Sequence, residues 1–246
     1  MRGGGNSKLG FTLAEVLVTL GIIGVVAVIT LPTVINNIQD RQNIAKWKKM
    51  YSVISQAYLQ TIEEGYMPCQ KNEHGYTCVE DLTWTRNTSF DSEFVNQLMK
   101  KFNVVKYCGP ETGGKIDYTC GPSYFITYKT LAGGKLASYN LSEGYYWLAT
   151  GELIMIGGTH GGPWISVDVD GFGKGKDILG KDLFTIKAYD NYLRPMGAKN
   201  TFNQKEFGEE CECSKDVGAK DSTYISNSQG DSVASGACCS AYYLLK

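Results

Sequence analysis

Three sets of residues in this chain have the types and spacing to do chemistry. The first is a single carboxylate, Glu15, inside the apolar run "FTLAEVLVTLGIIGVVAVITLPTVI", residues 11–35. A charge in a membrane-length segment costs about 2.5 kcal/mol or more near a helix centre, so it needs a cationic partner or a route to water. The second is a set of four aspartates, Asp168, Asp170, Asp177 and Asp182, spread around the glycine-rich stretch "DVDGFGKGKDILGKD". Hard oxygen ligands on a loop that Gly171, Gly173 and Gly175 let turn tightly suit calcium. No glutamate closes the loop as in a helix–loop–helix calcium site, and the competing reading is a solvated turn shaped by its aspartates. The third is the cysteines: Cys69, Cys78, Cys108, Cys120, Cys211, Cys213, Cys238 and Cys239.

All eight cysteines follow Pro68, on one side of the apolar run. That distribution fits an oxidising compartment outside a membrane and up to four disulfides. Cys69–Cys78 and Cys108–Cys120 are the preferred local pairs. Adjacent cysteines rarely bond each other, so Cys211 and Cys213 are expected to pair across to Cys238 and Cys239. Eight cysteines still permit 105 connectivities, and the sequence does not choose among them. Zinc held by the four tail cysteines is the alternative, but the C-x₂₋₄-C spacing of structural zinc sites is missing.

Other chemistries find little support. Gly171-x-Gly173-x-Gly175-Lys176 runs into Asp177, where a phosphate-binding loop needs Ser or Thr. His160-Gly161-Gly162 has no G-x-S-x-G segment to supply a nucleophile, so no enzyme activity is expected. The formal net charge is −1 with no long basic run, which implies no nucleic-acid partner.

The elements that must carry these residues follow from hydrophobic spacing. The 25 apolar-rich residues from Phe11 to Ile35 exceed the roughly 7–15 residues of a signal-peptide core, and no small-x-small cleavage site follows. At ~1.5 Å per residue such a helix spans the membrane, and Arg2 and Lys8 place its N-terminus on the cytoplasmic side. Gly21 and Gly24 offer a small-residue surface for helix contact, and Pro32 should kink or locally melt the helix. Beyond it Ile44, Trp47, Tyr51, Ile54, Tyr58 and Ile62 recur every three or four residues, an amphipathic stripe that should end near Glu64-Gly65.

A second helix is predicted around Ser92 to Phe102. Short β-favouring runs follow: "SYFITYKTL", "GYYWLAT", "GELIMIGG", "WISVDVDG" and "DLFTIKAY". The tail from Cys211 is polar and should be held mainly by its cysteines. The expected fold class is therefore α+β: a long N-terminal helix, half in the membrane and half docked, on an antiparallel sheet with disulfide-bonded loops.

Gly10, Phe11, Thr12, Leu13 and Glu15, joined to a short basic leader, resemble the cleavage and methylation signature of type IV pilins and type II secretion pseudopilins. The resemblance is specific over roughly the first 30 residues and looser beyond. It implies that a prepilin peptidase cuts after Gly10 and that the new Phe11 amine is methylated. Glu15 and Pro32 then fall where the family's pattern has a glutamate and a proline. In the family, the glutamate is thought to pair with the N-terminal amine of a neighbouring subunit during assembly.

The implied organisation is a leader at 1–10, a transmembrane and assembly helix at 11–64, and an extracytoplasmic domain at 65–246. The implied role is a structural subunit of a type II secretion pseudopilus or a type IV pilus-like filament in the bacterial inner membrane. Its partners would be copies of itself, other pilin-like subunits and the prepilin peptidase. The alternatives are a membrane-anchored extracytoplasmic binding module, or a minor pilin acting in adhesion or DNA uptake. The aspartate–glycine stretch is similar to a segment near the end of many pseudopilin-type domains, which favours secretion and calcium.

Overall fold

The computed structural model describes residues 12–68, 71–72, 75–76, 92–109, 128–136, 144–158, 163–198, 211–217, 220–221 and 234–245. It begins with one helix, α1 (Leu13–Glu63), which runs without interruption through Pro32. The expected local melting is not seen. A proline in a helix interior removes one N–H and crowds the carbonyl four residues back, a local defect in a ladder of 51 residues. At the other end the helix stops where the sequence places its glycine: Gly65 has φ +94°, and Tyr66 N–H returns to Thr61 O at 3.2 Å.

Two compact units divide the chain, up to Gln42 and from Asn43 onward, so the boundary falls inside α1. In the first unit the large apolar side chains from Leu13 to Ile38 are exposed. In the second, the same helix supplies one wall of the core. Trp47, Met50, Ile54, Ala57, Tyr58 and Thr61 are buried at spacings of three and four. Trp47 stacks on Phe184 with centroids 4.9 Å apart, and Tyr58 meets Phe94 edge to face at 5.1 Å.

A two-residue hairpin, β1 (Lys71–Asn72) and β2 (Gly75–Tyr76), follows α1. Next come α2 (Ser92–Met99), shorter than predicted, and β3 (Val104–Cys108). A small hairpin, β4 (Tyr128–Lys129) and β5 (Lys135–Leu136), precedes the main strands. These are β6 (Gly144–Leu148), β7 (Leu153–Gly158), β8 (Pro163–Asp168), β9 (Leu183–Ala188) and β10 (Leu193–Pro195). They form an antiparallel sheet in the order β10-β9-β8-β7-β6-β3. A last helix, α3 (Cys239–Leu245), closes the described chain.

The sheet is covered on both faces. Ile154, Ile156, Ile165, Val167, Phe184 and Ile186 face α1 and α2. Tyr145, Leu153, Met155, Trp164 and Leu183 face the other way, against Tyr128, Leu136, Leu179, Met196 and Ala237. Double coverage explains why β8 and β9 are buried at every position.

The tail differs from the expectation of a polar segment held mainly by cysteines. Ala234, Ala237 and Ala241 are buried with Cys238 and Cys239, and α3 packs on β9 and β10. Cys211 bonds Cys238 and Cys213 bonds Cys239, with Cα–Cα distances of 5.4 and 4.4 Å. Both pairs join the first cysteine group to the second, which leaves no tail thiolate for zinc. Gly180, with φ +86°, admits this packing: a Cβ there would lie 2.6 Å from Cys239 Sγ. Cys108 is also disulfide-bonded; the pairs Cys69–Cys78 and Cys108–Cys120 lie outside the described residues.

Candidate functional site

At the start of α1 the sequence T-x-x-E folds into a reciprocal cap. The Thr12 N–H and hydroxyl both donate to Glu15 Oε2 at 2.8 Å, and Glu15 N–H donates to Thr12 Oγ1 at 3.3 Å. This is a capping box, which satisfies donors that a helix start leaves open. Glu15 therefore has a structural partner in its own chain. Sequence reasoning weighed assembly and a route to water for this residue and missed the cap, although Thr12 three residues before Glu15 carries the capping signal. Gly10 and Phe11 lie outside the described residues. Downstream, α1 is long and apolar enough to cross a membrane, with no residue of its most apolar window buried.

The aspartate loop joins β8 to β9, and its carboxylates mostly serve the backbone. Asp168 ends β8, where Oδ1 accepts Gly171 N–H at 2.9 Å and Asp170 N–H at 3.3 Å. Its other oxygen accepts the Tyr128 hydroxyl at 3.0 Å. Asp182 accepts three backbone N–H groups, from Lys176 at 2.6 Å, Asp177 at 2.9 Å and Ile178 at 2.6 Å. Asp177 has φ 52° and accepts Gly173 N–H at 2.9 Å. Asn43 on α1 donates to Asp170 Oδ2 at 3.2 Å, tying the loop to the helix.

Asp170 and Asp182 converge over Gly175. A Cβ on that glycine would strike both Asp170 oxygens and lie 2.7 Å from Asp182 Oδ2. Asp170 Oδ1 is buried without a hydrogen-bond partner among the described residues. Burial, then the hydrogen bond that a protonated Asp168 donates to Asp170 and the charges of Asp182 and Asp170, push the Asp168 carboxyl up to about 8, against the Tyr128 hydroxyl. Burial raises Asp182 as well, opposed by the Ile178 N–H. Among the described residues no three acidic, histidine or cysteine side chains are arranged to hold a metal. Asp168, Asp177 and Asp182 are all committed to the turn by the backbone N–H groups they accept.

Residues 5–31 match the family model described as the prokaryotic N-terminal methylation motif, the signature of type IV pilins and pseudopilins. No curated protein and no solved structure matches the chain. With a long N-terminal helix, an antiparallel sheet and two disulfides near the C-terminus, the fold is α+β and pilin-like. The motif at the start of the chain is thus that of the type IV pilin and pseudopilin class, and it implies membrane anchoring, processing by prepilin peptidase and assembly with other pilin subunits.

Proposed function

We propose that this protein is a structural subunit of a type II secretion pseudopilus, assembled through α1 from the inner membrane. The observation that carries the reading is the methylation motif continued directly by an exposed apolar helix. An anchor alone needs the helix; a filament subunit also needs the cut. The β8–β9 aspartate loop favours secretion over a surface pilus. The two disulfides that fasten the C-terminal segment favour the pilus-like alternative. Deleting the gene and scoring protein export against surface motility separates the two. Loss of neither would favour a membrane-anchored binding module.

Processing is the first test. Intact-mass analysis of membrane-extracted protein should show loss of residues 1–10 and one added methyl on Phe11. A mature chain that still begins at Met1 would remove the filament reading.

A calcium ion at Asp170 and Asp182 belongs to the same proposal. Bound there, it would supply the positive charge that two facing carboxylates lack. Ligand binding to the native state alone stabilises it by about 2.7 kcal/mol at a hundredfold excess over Kd. The protein in detergent should melt at a higher temperature in calcium than in chelator, and Asp170→Asn should remove the difference. Equal midpoints would leave the loop as a turn held by its own backbone.

A further inference from the structure

We propose that four cations on α1 just beyond its apolar run, Arg41, Lys46, Lys48 and Lys49, form a docking surface for the headgroups of anionic phospholipids. All four are exposed, whereas the interleaved Asn43, Trp47 and Met50 are buried. The helix therefore divides here into a stripe that enters the core and a broad face that presents positive charge away from it. No acidic residue occurs on α1 between Arg41 and Glu63. Among the described residues none of the four side chains makes an ion pair or a hydrogen bond; the salt bridge that forms is Lys101–Glu64.

The place of that charge along the helix identifies its partner. The run of exposed large apolar side chains ends at Ile38, and α1 continues through it without a break. At ~1.5 Å per residue, Arg41 follows Ile38 by about 5 Å of helix and Lys49 by about 16 Å. The headgroup layer adds about 5–8 Å on each side of the hydrocarbon. Arg41 thus falls in that layer, and the three lysines stand within about one Debye length, 8–10 Å, of its surface. Long basic side chains can reach back to it with their stems along the helix.

A merely solvated face is the competing reading, and two observations oppose it. Trp47 roots this turn in the core, stacking on Phe184 at 4.9 Å and donating from Nε1 to Ser240 O at 3.0 Å. The backbone that bears the lysines is therefore held in place, and less order is lost when a headgroup binds. The four cations also lie on the flank opposite Arg2 and Lys8, where positive charge opposes the proposed orientation of the span. Insertion does not account for them. A phosphodiester offers charged acceptors to several N–H donors at once. Each basic residue near an anionic surface contributes about fivefold in affinity. The site rests on the membrane-anchored reading of α1 and not on filament assembly. It adds an electrostatic tether to the hydrophobic one.

The test uses the full chain in vesicles of phosphatidylcholine that contain a trace of spin-labelled lipid, either phosphatidylglycerol or phosphatidylcholine. Electron spin resonance reads the fraction of each label immobilised at the protein. Averaged over the lipids around the helix, phosphatidylglycerol should be favoured by about threefold or more, and high salt should abolish the preference. Arg41→Gln, Lys46→Gln, Lys48→Gln and Lys49→Gln together should abolish it too, whereas Arg2→Gln with Lys8→Gln should leave it intact. Flotation of the same vesicles checks the anchor separately. Protein that floats without a preference, or a preference that survives the fourfold substitution, would overturn the docking surface alone. Protein that fails to float would overturn it together with the anchor. Saturable binding of polyglutamate or duplex DNA, lost in the fourfold variant and unaccompanied by any lipid preference, would assign the cations to such a partner and overturn the lipid site.

Discussion

Glu15→Ala should leave the protein in the membrane, cleaved and disulfide-bonded, yet reduce filament yield to near zero. Two losses coincide in that variant. The Thr12 N–H and hydroxyl lose their acceptor, and a broken helix cap costs about 0.5–2 kcal/mol. The subunit also loses the one acidic side chain of the first α1 turn, and with it the proposed charge pairing that sets register between subunits. Glu15→Gln separates the two, since a glutamine still closes a capping box but carries no charge. It should fail in assembly as well, with a helix start as ordered as the parent's. Normal filaments from Glu15→Gln would reduce Glu15 to a cap; normal filaments from Glu15→Ala would remove it from assembly altogether.

Joint removal of the Cys211–Cys238 and Cys213–Cys239 bridges should have the largest effect on the globular domain's stability. The bridged cysteines are 27 and 26 residues apart, so the two bonds close nearly the same loop, and closing one loop of that size is worth about 3.5 kcal/mol in the chain-entropy picture. The variant with Cys211, Cys213, Cys238 and Cys239 all replaced by alanine should therefore unfold at clearly lower denaturant concentration, with assembly tested separately at low temperature. Alanine suits these positions better than serine, because Cys238 and Cys239 are buried and a hydroxyl there would need a partner. A midpoint equal to the parent's would mean that the packing of Ala237, Ala241 and Leu244 holds the tail without the bridges.

The long helix was legible because its two signals, an apolar run and a three–four stripe, are local. The stripe still gave only part of the buried face. Met50 is buried too, and so are Asn43, Ala57 and Thr61, whose small or polar side chains do not announce it. Strands β6 to β9 were legible as β-favouring runs. By contrast, β3 is an edge strand with Val105 and Tyr107 exposed and a register shift between Val104 and Lys106, so it shows no alternation. The three-residue β10 ends in Pro195, a residue that edge strands tolerate and sequence patterns treat as a stop. α3 has only seven residues and owes its position to two disulfides and to β9 and β10. Such support cannot be read from its own sequence.

The hydrogen bond from Trp47 Nε1 to Ser240 O, at 3.0 Å, spans 193 residues of sequence. It cannot form until the C-terminal segment has been made. During synthesis, α1 emerges first with an apolar stripe whose far wall, Phe184 and Ile186, has yet to be made. The cover for the opposite sheet face, Ala234 and Ala237, comes later still. Contacts this distant place the domain among slow folders, because loop closure must precede the reward. The nascent chain thus spends its synthesis with a membrane-anchored helix and an open sheet, and the core is sealed only when the last dozen residues arrive.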